Sequence, residues 1–66
     1  MDVQSFEALN LKLNDAITLQ NPQGEEVKGF YLDEYDTAGR TFGFSNFETG
    51  QVETIVIDNL AQLRKD

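Results

Sequence analysis

Residues 27–35, Val27-Lys28-Gly29-Phe30-Tyr31-Leu32-Asp33-Glu34-Tyr35, form the longest strand-like stretch of the chain. Their β-branched and aromatic side chains favour an extended conformation. Gly29 interrupts the stretch, and a glycine inside a strand marks a bulge or a sharp bend. A strand bent there serves two halves of one sheet. Turn signals bracket it on both sides. Asn21-Pro22-Gln23-Gly24 precedes it, with Pro suited to the second turn position and Gly to the last. Asp36-Thr37-Ala38-Gly39 follows it, and Glu48-Thr49-Gly50 is a third turn.

Between these turns the apolar residues alternate. Ile17 and Leu19 alternate with Thr18 and Gln20 from Ala16 onward. Arg40–Phe47 carries Phe42 and Phe44 on one face and Phe47 on the other. Val52–Ile57 sets Ile55 and Ile57 opposite Val52, Thr54 and Val56. Asp58-Asn59 ends that strand. Leu60 and Leu63 lie three apart, as in a single 3₁₀ or helical turn, and a short closing strand around Leu60–Arg64 is also compatible. At the start of the chain, Phe6, Leu9 and Leu13 have helical spacing, while Leu9, Leu11 and Leu13 also alternate with period two. The expected element is a short helical turn near residues 3–9, with Ser5 as a cap, followed by extended chain. Short strands joined by tight turns manage their edges by curling shut. The expectation is mainly β: a small, strongly bent, antiparallel five-strand barrel with a short N-terminal helix, in a single domain spanning residues 1–66.

Composition narrows the chemistry. The chain has 66 residues, 12 acids against five bases, a net charge of −7, and neither His nor Cys. Without those two residue types there is no zinc site of the usual kind, no thiol redox chemistry and no Ser-His or Cys-His nucleophile. No glycine-rich phosphate loop is present. No basic tract is present either, so phosphate-driven nucleic-acid binding is disfavoured. Arg64-Lys65 at the end is too short to act as a nucleic-acid tail. Apolar runs do not exceed three residues, so no membrane span is expected. Met1–Asn10 lacks the apolar segment of a signal peptide, and the expected location is cytoplasmic. The acidic residues of 33–36 do not follow the calcium-loop pattern, and no cofactor, metal or catalytic group is expected.

The chain resembles the Sm-like branch of small SH3-like barrels in Ile17-Thr18-Leu19, Gly24, Gly29, Tyr35-Asp36 and the closing Ile55-Val56-Ile57-Asp58-Asn59-Leu60. The resemblance covers residues 16–63. It implies a bent five-strand barrel that commonly assembles into rings through strand edges. It departs from the family where RNA is read: Arg40 stands near the position of the family's Asn, and Val56-Ile57-Asp58 lacks the Arg-Gly pair. In size, acidity and strand order the chain is also similar to the small acidic Sm-like inhibitors of the transcription terminator Rho, which bind a protein.

Three surfaces are candidates for contact. Asp33, Glu34 and Asp36, interleaved with Tyr31 and Tyr35, form the densest acidic cluster, suited to a basic protein surface. A solvated turn that keeps a strand edge from pairing is the plainer alternative. Phe42, Phe44 and Phe47 would suit base stacking only with a positive groove, which is lacking; the first two are expected in the core. If Ile55 and Ile57 face inward, Val52 and Val56 face outward. With Tyr31 or Phe47 they would form an exposed patch, unless Phe6 and Leu9 cover it. The expected function is therefore a non-catalytic acidic interaction module whose partner is a protein with a basic surface, such as a nucleic-acid-handling factor. The first alternative is an Sm-like RNA-binding oligomer with Arg40 and Lys28 lining a pore. The second is an accessory subunit that buries the Val52/Val56 face. Homo-oligomerisation is open under any of the three.

Overall fold

The long strand divides its two edges between different partners. In the computed structural model, which describes all residues 1–66, this strand (β2, Glu26–Asp36) pairs through Glu26–Phe30 with β1 (Ala16–Gln20). From Gly29 onward it pairs with β3 (Thr41–Asn46). β4 (Val52–Val56) extends the sheet beyond β3, and β5 (Gln62–Lys65) extends it beyond β1. All pairings are antiparallel and the strand order is β4-β3-β2-β1-β5. A six-residue helix, α1 (Val3–Ala8), precedes β1, and a 3₁₀ turn, Ile57–Asn59, joins β4 to β5. No helix is long and apolar enough to cross a membrane.

The handover at Gly29 depends on its missing side chain. Gly29 pairs with Ile17 on one side and Asn46 on the other. A Cβ at Gly29 would overlap the Ser45 carbonyl oxygen and come within 2.6 Å of Phe44 Cζ. The backbone and a core ring occupy the space that any other residue would need. Of the bulge or sharp bend expected at this glycine, the bulge does not fall there: the β2–β3 register shifts between Leu32 and Asp36. In the β2–β3 turn the left-handed conformation falls on Arg40 (φ 56°) rather than on Gly39. Asp36 Oδ1 accepts hydrogen bonds from the Ala38 and Gly39 amides, which fixes the turn.

The sheet is open. β4 and β5 are its two edges, and no ladder joins them, so the expected barrel closure is not reached. The connection between these short strands is a 3₁₀ turn with Ile57 and Leu60 buried in the core, and it carries the chain from one edge to the other. The core consists of Phe6, Ile17, Leu19, Tyr31, Phe42, Phe44, Ile57, Leu60 and Leu63. Phe42 and Phe44 are fully buried, as their alternation implied. Thr18, on the other face of β1, is also buried, and its hydroxyl donates to Asp66 Oδ2 at 2.7 Å.

Helix α1 is the lid on this core. Its cap is Asp2, whose Oδ1 accepts from the Ser5 amide at 2.7 Å; Ser5, expected to cap, lies inside the helix. A cap side chain that accepts from the third helical amide is the standard way to satisfy one of the free amides at a helix start. That bond holds the Asp2 carboxyl below the usual range. Phe6 then stacks on Phe42 at 5.1 Å between ring centroids and 21° between planes.

Candidate functional site

The acidic and aromatic residues singled out on β2 do not form one surface. Successive side chains of a strand point to opposite faces. Gly29 and Tyr31 face inward, and Phe30 faces outward. Tyr31 is therefore a core residue, 3% exposed, and not part of an outer contact face. Its ring lies 5.7 Å from Phe42 and 6.1 Å from Phe6. Tyr35 is half-buried and packs on Phe6 at 5.0 Å. Asp33 and Glu34 are exposed, as is Asp36, which is already engaged with the turn amides.

Two surfaces result. The first is the outer face of β2, β3 and β4. Directly opposed residues of neighbouring strands share a face. Phe30, Ser45 and Val52 form one row across it, Leu32, Gly43 and Thr54 a second, and Asp36, Thr41 and Val56 a third. Glu34 reaches over Gly43, where its Cβ lies 3.2 Å from the position a Cβ would take. Phe47 meets Phe30 edge to face at 4.6 Å. Phe47 is 51% exposed, Val52 66%, Phe30 39% and Val56 39%. Phe6 does not cover this face, because it is sealed in the core on the opposite side of the sheet. Phe30 and Leu32 were not anticipated here. The inward pair Gly29 and Tyr31 implies both of them by period two.

The second surface is a cleft of about 230 Å³ between α1 and β2, lined by Phe6, Glu7, Asn10, Leu11, Tyr31, Asp33 and Tyr35. Its floor is aromatic and its rim acidic. The Tyr35 hydroxyl donates to Glu7 Oε2 at 3.2 Å. Asp33 lies on this side of β2, near enough for its charge to act on the Tyr31 phenol. Sequence reasoning missed Glu7, Asn10 and Leu11, because a contact across 28 positions leaves no local signal.

Both phenols of the cleft are pushed above the ordinary tyrosine range. For Tyr31 the main cause is burial, followed by the Asp33 charge and the neighbouring Tyr35. For Tyr35 it is burial, followed by the bond to Glu7 and its charge. A group raised in the folded state stabilises the fold fully below its ordinary value, and that contribution disappears as pH rises through the folded value. Absorbance titration of tyrosinate should therefore find both phenols less than half ionised at pH 10.0, their ordinary midpoint. In denaturant they should be half ionised there, and the fold should lose stability above that pH. A native midpoint at or below the denatured one would contradict the placement of both rings.

The charge is unevenly compensated. Arg40 pairs with Asp58, Arg64 with Glu26 and Asp66, and Lys65 with Asp15. Glu7, Asp33 and Glu34 have no ion-pair partner. No three acidic side chains converge in a way that could hold a metal ion. Lys28 stands on β2 opposite Thr18, whereas Arg40 stands at the far end of the β2–β3 hairpin, bound to Asp58 at 3.1 Å. Comparison of the chain with protein-family models, with curated proteins and with solved structures gives no match.

Proposed function

We propose that this protein is a non-catalytic acidic interaction module that docks on a protein with a basic surface, such as a nucleic-acid-handling factor, and modulates it. The observation that carries this reading is the outer face of β2–β4. There Phe30, Phe47 and Val52 are exposed together at one end of the face and Val56 at the other, in a chain with a net charge of −7. Contiguous exposed apolar area marks a contact surface, and aromatic side chains are favoured anchors in one. Glu34, on the same face, and Asp33, on the reverse, supply a negative field that draws in a cationic partner and repels nucleic acid. The fold is read as a strongly bent half-barrel of the SH3-like or Sm-like kind. A short helix ahead of five antiparallel strands, with β2 shared between both halves, supports that reading.

A tagged pull-down with and without nuclease tests the function. A specific protein band that survives nuclease is the expected result; recovery that collapses with nuclease would favour the Sm-like RNA-binding reading instead. With the partner in hand, the triple variant Asp33→Asn, Glu34→Gln, Asp36→Asn should associate about ten-fold more slowly at low salt. Its association rate should also depend less steeply on ionic strength. Asn at position 36 keeps the acceptor that fixes the turn, so the fold should persist. Unchanged association kinetics would remove the acidic cluster from the contact.

A further inference from the structure

The cleft between α1 and β2 has a chemistry of its own. Phe6, Tyr31 and Tyr35 line it with aromatic surface, and Glu7 and Asp33 add two carboxylates. Neither carboxylate is paired with a base, and no base lines the cleft. Lys12, one residue beyond the cleft wall, lies outside it and acts on Asp15. The Tyr31 hydroxyl makes no hydrogen bond within the protein although the residue is 97% buried, its exposed fraction being 3%. It belongs to a side chain that lines the cleft, and no buried side-chain polar atom is left without a partner, so the hydroxyl opens into that space. The other hollow of the molecule, beside Met1 and Leu63, contains one carboxylate, Asp2, which is occupied by the Ser5 amide.

We propose that this cleft receives a lysine side chain of the protein partner. The proposal rests on the reading of the chain as an acidic module for a basic protein, and it names the group that enters. An ammonium ion is attracted to the face of an aromatic ring, and more strongly when it is desolvated. Three donors on the ammonium match the acceptors at hand: the Glu7 carboxylate, the Asp33 carboxylate and the unpartnered Tyr31 oxygen. The methylene stem of lysine suits the apolar wall made by Leu11 and Phe6. The Tyr35–Glu7 hydrogen bond, at 3.2 Å, ties the helix to the strand and keeps the two walls at a fixed separation.

The test is a titration of the isotope-labelled full chain, followed by NMR, with two probes: acetyl-Gly-Lys-Gly-amide and its norleucine analogue. The lysine peptide should shift signals of residues 6–11 and 31–35. The norleucine peptide, which keeps the stem and lacks the charge, should shift them at least ten-fold less at equal concentration. The double variant Glu7→Gln, Asp33→Asn should weaken lysine-peptide binding at least ten-fold. Both sites are exposed, so its amide spectrum should stay native. In the unmodified chain, raising NaCl should weaken the lysine peptide and leave the norleucine peptide unchanged, a readout that does not depend on any variant folding. Equal responses to both peptides, or shifts confined to other residues, would overturn the proposal. A deca-lysine peptide separates the two levels: if it binds and shifts only the outer face, the lysine cleft fails while the acidic-module reading stands. If neither lysine peptide binds, both fail.

Discussion

Phe42→Ala is expected to remove about a third or more of the chain's stability at 25 °C. Phe42 is fully buried on β3 opposite Ile55. Its ring is the surface on which α1 closes: Phe6 stacks on it at 5.1 Å, and Tyr31 lies 5.7 Å away. Truncating a buried phenylalanine to alanine costs about 3–5 kcal/mol. A chain of 66 residues, at about 0.05–0.15 kcal/mol per residue, has only about 3–10 kcal/mol of stability in total. A small domain also buries a low fraction of its surface, and no disulfide is present to offset the loss. Phe47→Ala is the matched control. Phe47 is 51% exposed and touches Phe30 edge to face, so its loss should cost about 1 kcal/mol or less. Circular dichroism during urea unfolding should show a strongly lowered midpoint for Phe42→Ala and a near-native one for Phe47→Ala. Comparable midpoints for the two would mean that Phe42 is not the keystone of the core.

The strands and turns were legible because their signals are local. Asn21–Gly24 closes through a hydrogen bond from the Gly24 amide to the Asn21 carbonyl at 2.9 Å, with Gly24 at a φ of 88°, as Pro-x-Gly chemistry implies. Phe42 and Phe44 inside, with Phe47, Val52 and Val56 outside, followed from period two alone. Tyr31 did not, although the same rule places it beside Gly29 on the inner face. Its neighbours Asp33 and Glu34 made the segment look like a surface. An acidic end on a strand does not change which way an earlier residue points. The register shift between Leu32 and Asp36 was not legible, because it depends on how β3 pairs across the turn. Nor was the division of the acidic cluster, with Asp33 at the cleft and Glu34 over Gly43 on the outer face. The cleft itself is a product of helix docking: Phe6 is drawn to Phe42, and Glu7 is brought with it to Tyr35.

Gly29→Ala should be nearly as damaging as the loss of Phe42, and for the opposite reason. Here a single added methyl group has no space to occupy. The Cβ would overlap the Ser45 carbonyl oxygen and stand 2.6 Å and 2.7 Å from two atoms of the Phe44 ring. A flexible side chain can move aside from such a contact, but the Ser45 carbonyl is part of the β3 backbone, and Phe44 is fully buried in the core. Relief therefore requires β2 and β3 to separate at the residue where β2 passes from β1 to β3. Overpacking costs about 1–3 kcal/mol where side chains can adjust, and a backbone overlap belongs at or beyond the upper end of that range. Gly43→Ala is the comparison that isolates the cause. Gly43 is also buried in a strand, but its Cβ would meet only side-chain atoms, Leu32 Cβ at 3.1 Å and Glu34 Cβ at 3.2 Å. Both Cβ atoms are fixed to the β2 backbone, which must give by a few tenths of an ångström, far less than the overlap at Gly29 demands. A small steric loss is then partly offset by the reduced freedom of the unfolded chain, worth about 0.4–1 kcal/mol. Urea midpoints should place Gly29→Ala far below Gly43→Ala. Amide exchange should show protection lost first at Gly29 and Phe30, where the two ladders meet. If the two glycine variants unfold at the same urea concentration, the close approach at Gly29 is not what sets the path of β2. The bend would then have to come from the register shift after Leu32, and the position of Tyr31 in the cleft floor would depend on the hairpin end of the strand.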